Sequence, residues 1–389
     1  MFMCNSRVTG SISAGVAAVF LFANAPLPAQ ETPFDLHNSI SIDIPSDSPI
    51  VQAGTKTGES PPRATPRGGA MVVDLHMGLS FRNVSGKPIR GVTLLVTAQE
   101  VTPGGKASVA VPSLDIAPGQ VFPIRIDLRL LRPLQMGSGP LVHVSVDGVL
   151  FDNFEFYGPD RLNSRRSMTA WEMEAERDRR YFKTVLSSAG PEGLRREMLD
   201  SLNRQSERPR IDVRVSRGRA TTAAAAPEVA QFAFLKLPDS PVEPMDGWAE
   251  IAGNEARAPH IQVRNRSPRS VRYVEIGWIV KDREGHEFLA GSVPAADSDM
   301  LLPPGQTGRV LQDTALRFSR NAGEPVAIAS MTGFVSQVEF SDGKVWVPNR
   351  PREDARLLRL LAPSPEEQRL VDIYRNKGIG ALIEELKKF

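Results

Sequence analysis

Cysteine is nearly absent. The 389-residue chain has one, Cys4. It stands before the apolar run Ile12 to Ala23, whereas a lipid-modified cysteine would follow such a run. Without another thiol, disulfides, thiolate metal sites and cysteine nucleophiles are excluded downstream. Long apolar runs are also missing. The Ile12–Ala23 run is roughly a dozen residues, too short to span a bilayer core of ~30 Å. Charge of one sign is lacking, with 47 basic against 45 acidic side chains. That balance argues against nucleic acid as a partner, which demands a strongly basic face. The histidines, His37, His76, His143, His260 and His286, show no metal-ligand spacing. A Gly-x-Ser-x-Gly elbow, a phosphate-binding loop and a dinucleotide fingerprint are all absent.

What is present is a repeat. Arg82-Asn83-Val84-Ser85 is matched by Arg264-Asn265-Arg266-Ser267. Val92, Leu94 and Val96 follow Asn83 at the offsets where Val274, Ile276 and Trp278 follow Asn265. Two copies of one unit mean two domains rather than one large core. A shared Asp-Ser-Pro turn supports the duplication independently: Asp47-Ser48-Pro49 after the strand Ile40–Ile44, and Asp239-Ser240-Pro241 after Gln231–Leu237.

The period within each unit is two. Leu75, Met77, Leu79 and Phe81 alternate, as do Ile124, Ile126 and Leu128, then Val142, Val144 and Val146. Alternation with one buried face reads as strand, and turn signals at this spacing suggest a sandwich. The stretch from about 53 to 70, rich in Gly, Pro and Thr, reads as a loop, and Asp147-Gly148 as a turn before a last strand to Tyr157. In the second unit Phe334 to Phe340 and Lys344 to Val347 form a closing hairpin. Helix follows each sandwich. Met168, Trp171, Ala175, Phe182 and Val185 mark one stripe from Ser167 to Leu186, and the acids at 172–178 read as its solvated face. Gly190-Pro191 ends it, and a shorter helix follows. Ser364-Pro365-Glu366-Glu367 opens the last helix, with Leu370, Ile373, Leu382 and Leu386 on its stripe.

The expected layout is therefore a signal peptide at 1–29, β-sandwich 1 at 38–160 and helical segment 1 at 161–204. An Arg/Ala-rich linker at 205–228, β-sandwich 2 at 229–350 and C-terminal helices at 351–389 complete it. The Asn-x-Ser turn, the Val92–Val96 return and the Ile116–Gln120 turn, with their counterparts at Asn265, Val274–Trp278, Asp282–Gly285 and Leu302–Gln306, give the chain its resemblance. It resembles the secreted bacterial immunoglobulin-like sandwiches of the FxLYD type. The closing strand Phe340-Ser341-Asp342-Gly343-Lys344-Val345-Trp346 is similar to that of secreted proteins of soil bacteria. The resemblance implies a mainly β fold, two tandem immunoglobulin-like sandwiches, and export. It implies no activity.

Candidate chemistry is sparse. Asp297-Ser298-Asp299 lacks the further oxygens and bend glycine of a calcium loop. Asn83 and Asn265 fit glycosylation acceptors formally, but their shared place in a turn points to a structural role. Of the tryptophans, Trp278 is in phase with the core, and Trp171 lies on the helix stripe. Trp248 and Trp346 are left as ligand-contact aromatics. No catalytic residue, metal ligand or cofactor emerges. The expectation is an exported, secreted or periplasmic, non-catalytic protein that binds or scaffolds an envelope protein partner. A carbohydrate-binding module with a glycan ligand stands second, and a hydrolase with an inter-domain site third. No transmembrane segment is expected after signal removal.

Overall fold

The computed structural model describes residues 40–57, 63–67, 70–98, 106–133, 142–207, 211–216, 227–293, 300–311, 315–320, 324–349 and 363–389. The signal segment, the Val101–Gly105 turn, the Ala-rich part of the linker and Asp297-Ser298-Asp299 lie outside them. Strand outweighs helix, 47% to 26%, so the chain is mainly β. Among the described residues no helix is long and apolar enough to cross a membrane.

The first sandwich contains β1 (Ile40–Asp43), β2 (Ile50–Thr57), β3 (Arg63–Arg67), β4 (Ala70–Asn83), β5 (Ile89–Ala98), β6 (Lys106–Val111), β7 (Val121–Pro133), β8 (Val142–Phe151) and β9 (Phe156–Tyr157). One sheet runs β1-β8-β5-β6, with β9 on β8. The other runs β2-β4-β3, with β7 on β4. Helix α1 (Ser164–Glu207) follows. The second sandwich contains β10 (Ile211–Ser216), β11 (Glu228–Gln231), β12 (Ala233–Phe234), β13 (Val242–Ala252), β14 (Glu255–Asn265), β15 (Val271–Asp282), β16 (Glu287–Val293), β17 (Thr307–Leu311), β18 (Ala315–Arg320), β19 (Ile328–Phe340) and β20 (Val345–Trp346), and α2 (Pro365–Lys387) ends the chain. Its sheets run β12-β19-β15-β16, with β20 on β19, and β10-β18-β14-β13-β11, with β17 on β14. The duplication extends to strand direction: β1 pairs parallel with β8, and β12 parallel with β19.

Alternation places Met77, Leu79 and Phe81 against Ile124 and Ile126 in the first core. Val263, Val274, Ile276 and Trp278 lie in the second. The repeated asparagine is a corner bolt. Asn83 and Asn265 are both fully buried. The Asn83 amide donates to the Lys87 and Ile116 carbonyls at 2.9 and 3.0 Å, and its Oδ1 accepts from the Ser85 N–H and hydroxyl. Asn265 repeats every bond, to Arg269, Leu302 and Ser267. Each therefore ties the β4–β5 or β14–β15 corner to the proline-glycine turn across the sandwich.

Two readings need correction. Residues 53–70 are not simply a loop, because β2 extends to Thr57 and β3 pairs with β4 over Arg63–Arg67. Asp147-Gly148 is not a turn. β8 runs through it, with Asp147 as the extra residue of a bulge opposite Thr93 and Leu94.

The helical tails are duplicated as well. Gly190 (φ 67°, ψ −172°) kinks α1 and Gly378 (φ 82°, ψ 178°) kinks α2, a backbone region open only to glycine. Phe182 and Leu370 stand eight residues before the kinks. Leu194 and Leu382 stand four after, and Met198 and Leu386 eight after. All six are buried, and they form one core in which the two helices pack on each other. Ser364 caps α2, its hydroxyl accepting the Glu367 N–H at 3.0 Å.

Two outcomes follow for stability. Asn83→Ala strands the Lys87 and Ile116 carbonyls and the Ser85 N–H, and is expected to lower the unfolding free energy by about 3 kcal/mol in chemical denaturation. Asn265→Ala is expected to match it. Deleting residues 364–389 uncovers Phe182, Leu194 and Met198, each worth about 1.5–3 kcal/mol of burial. Loss of helical circular dichroism beyond that of the deleted residues would register it.

Candidate functional site

The polar side chains converge on α1. Its residues fall in two stripes, 168/172/175/179/182 and 166/170/173/177, about 180° apart at 3.6 residues per turn. Both stripes are occupied by protein, so the reading of 172–178 as a solvated face is corrected. Glu172, Asp178 and Arg179 are buried.

The first stripe meets sandwich 1 and α2. A Cβ added at Gly91 would lie 2.8 Å from the Met168 sulfur, and one at Gly148 would lie 3.1 Å from the Met168 methyl. Those two glycines let the helix approach the outer face of β5 and β8. Buried Asp147 fixes its start by accepting the Arg161 and Leu162 N–H groups at 2.9 and 3.2 Å and the Ser164 hydroxyl. One turn further along the stripe, Glu172 is paired with Arg179, and Arg90 of β5 lies 3.8 Å away. Arg179 is also 3.5 Å from Glu366 of α2. The Phe389 ring sits under three guanidinium groups, 4.3 Å from Arg179, 5.2 Å from Arg90 and 5.9 Å from Arg369. Burial pushes the Glu172 carboxyl up to about 7, against the pull of Arg179 and Arg90.

The second stripe meets sandwich 2 on the equivalent outer face of β15 and β19. Glu339, fully buried, accepts Arg166 at 3.2 Å and also pairs with Arg272. The Arg166 guanidinium lies 3.7 Å over the Tyr273 ring. The Tyr273 hydroxyl donates to Glu275 at 2.8 Å. Ala170 and Met173 pack on Val345 and Val347. Arg177 donates to the Pro348 carbonyl at 2.8 Å and clasps Asp178, which also accepts the Ser364 hydroxyl at 2.6 Å. This is an inter-domain meeting of acids, arginines and a tyrosine. Its members are engaged with one another, which makes it a joint rather than an open cleft.

The two singled-out tryptophans are not brought together. Trp248 is on β13 and Trp346 on β20, in opposite sheets of sandwich 2. Trp346 is partly buried and packs against the core. Trp248 is half-buried and stacks on His260 with ring centroids 4.3 Å apart. One group of potential metal donors occurs among the described residues, Asp282, Glu284 and His286, with ligand atoms within 4.8 Å of one another. Asp282 closes the β15–β16 turn there by accepting the Glu284 and His286 N–H groups at 2.9 and 2.8 Å. A hollow between Leu235, Ser240 and Val335 has about 20 Å³, room for about one water.

The residues of the joint were missed in the sequence. Tyr273, Glu275, Gln337 and Glu339 lie on an outward-facing row, and outward polar residues normally mean solvent. The available signal was the comparison of repeats, where Gly91, Thr93 and Gly148 stand at the positions of Tyr273, Glu275 and Gln337.

No family model matches the chain, and no curated relative matches it. Among solved structures, red sea bream transglutaminase overlaps at 8% identity, covering 78% of this chain and 32% of that one, with a TM-score of 0.12. The chain thus spans about a third of that enzyme's length. A fucolectin from striped bass serum overlaps at 8% identity, covering 68% and 85%, with a TM-score of 0.08. At these scores neither superposition defines a shared fold.

Removing Arg166 and Arg272 together leaves Glu339 buried without a cation. The double variant Arg166→Ala/Arg272→Ala is expected to lose about 3–5 kcal/mol in denaturant unfolding, and added Glu339→Gln to restore much of it. A double variant within about 0.5 kcal/mol of the parent would show that Glu339 reaches water instead.

Proposed function

We propose that the protein is an exported, non-catalytic binding or scaffolding component of the cell envelope, akin to the FxLYD-type tandem sandwiches. The supporting observation is the double grip on α1. Equivalent faces of both sandwiches hold one helix, so the two sandwiches form a spaced pair suited to presenting surfaces. The apolar stripes of α1 and α2 are consumed by each other. Partner contact therefore falls to strand edges and loops, where a strand or extended peptide can add to the ladder. The edges include β6, β11 and β16.

A second reading, glycan binding, is favoured by the stacked Trp248–His260 pair, since a half-exposed ring beside a polar ring offers a sugar both a face and hydrogen bonds. A hydrolase with an inter-domain site ranks below both. The polar convergence it requires lies in the α1 joint, where the groups bond to one another.

The test is a pull-down from envelope extract with residues 30–389, run beside a polysaccharide titration followed by tryptophan fluorescence. The scaffold reading expects a discrete protein partner displaced by an extended peptide derived from its own contact segment, and no quenching. Quenching that disappears in Trp248→Ala would transfer the assignment to glycan binding. Neither signal would remove both.

A further inference from the structure

The two helical tails meet as equivalents. Counted from its kink glycine, Gly190 in α1 and Gly378 in α2, each tail puts the same positions into the shared core. Beyond the three buried pairs at −8, +4 and +8, Val185 and Ile373 stand at −5 and Leu186 and Tyr374 at −4, all packed on that core. The edges of the contact repeat this reciprocally. Glu367, at −11 in α2, accepts the hydroxyl of Ser201, at +11 in α1, at 2.6 Å. Arg179, at −11 in α1, lies 4.3 Å from the ring of Phe389, at +11 just beyond α2. Position −11 of each tail therefore meets +11 of the other, although the side chains differ. That is the rule of a two-fold interface, in which residue i meets j and j meets i. The tails are antiparallel about one pseudo-two-fold axis that passes between the kinks.

We propose that this contact is a self-complementary interface that closes between two copies of the chain as it does within one, with α2 of each copy seated on α1 of the other. The seat is indifferent to which chain supplies the helix. α2 is held by the shared apolar core, by Ser201 and Arg204 on Glu367, by Asp178 on the Ser364 hydroxyl, and by Arg179 and Arg90 on the Phe389 ring. These partners lie on α1 or on β5 of sandwich 1, upstream of sandwich 2, which precedes α2 in the chain. A second copy offers the same set.

Concentration decides between the two closures. A tethered helix meets its own seat at an effective concentration of roughly millimolar, so the closed monomer prevails at micromolar protein and exchange grows toward millimolar. The exchange is independent of what the strand edges bind.

Trans-complementation with the full chain tests this. Leu194→Asp/Met198→Asp spoils the α1 half of the interface, and Leu382→Asp/Leu386→Asp spoils the α2 half. Each variant alone is expected to be monomeric, since neither keeps both halves. Mixed at about 50 µM each, they are expected to form a 1:1 heterodimer in light scattering, the intact α2 of the first on the intact α1 of the second. Cys4 is the chain's one cysteine, so with Cys4→Ser two thiols can be placed freely. Ser201→Cys on the second variant and Glu367→Cys on the first are expected to crosslink across the heterodimer, because they stand at the reciprocal contact. The parent carrying both cysteines needs no aspartate. Refolded at about 10 µM it is expected to crosslink internally, and at about 1 mM to give covalent dimer. Variants that stay monomeric when mixed, while keeping the strand circular dichroism of the parent, would overturn the proposal. So would a heterodimer whose thiols at 201 and 367 do not join. If the aspartates unfold the sandwiches, the parent decides: covalent dimer supports the exchange, and internal crosslinks alone at both concentrations overturn it.

Discussion

The molecule depends on one helix being gripped from two sides. α1 is neither a free appendage nor a spacer. Its two stripes, about half a turn apart, are each covered by the outer face of a β-sandwich, and past Arg179 the first stripe continues into the contact with α2. A helix covered on opposite sides cannot show a single apolar stripe. Some of its acids must therefore be buried, and buried acids need cations. Glu172 with Arg179, Asp178 with Arg177, and Glu339 with Arg166 answer that need.

Duplication explains the arrangement and also its asymmetry. Both units keep the asparagine corner and the parallel first strand, and both keep a bulge in the last long strand, at Asp147 and at Ser336. What differs is the chemistry at equivalent outer positions. Asp147 closes the start of α1, whereas Ser336 donates its hydroxyl to the Glu275 carbonyl within its own sheet. Gly91 and Gly148 admit Met168, whereas Tyr273 and Gln337 present a ring and an amide. So sandwich 1 meets α1 with two glycines, the Asp147 carboxylate and Arg90, whereas sandwich 2 meets it with a tyrosine ring, Glu339 and two valines.

This sets how far the sequence could be read. The cores were legible, because a half-buried strand writes its burial as alternation: Met77, Leu79 and Phe81 did so, as did Val274, Ile276 and Trp278. The asparagine corner was legible because it occurs twice at fixed spacing. The α2 cap was legible from Ser364-Pro365-Glu366-Glu367. The joint was not. Glu275 and Glu339 stand out of phase with the core and look solvated until a helix from the other half of the chain covers them. Asp147-Gly148 has the composition of a turn, and only the pairing with Thr93 and Leu94 reveals a bulge. The acids of α1 looked solvated for the same reason: one sequence cannot say how many partners a helix has.

The two grips also fix an orientation. A buried ionic face stabilises little beyond what an apolar face of the same area would, because desolvation offsets most of the Coulomb attraction. Ionic contacts nonetheless occur on both sides of α1, Glu172 with Arg179 and Arg90 toward sandwich 1 and Glu339 with Arg166 and Arg272 toward sandwich 2, and stability alone accounts for them poorly. Because the Arg90–Glu172 and Arg166–Glu339 pairings join side chains from different elements, they fix which face of α1 meets which sandwich.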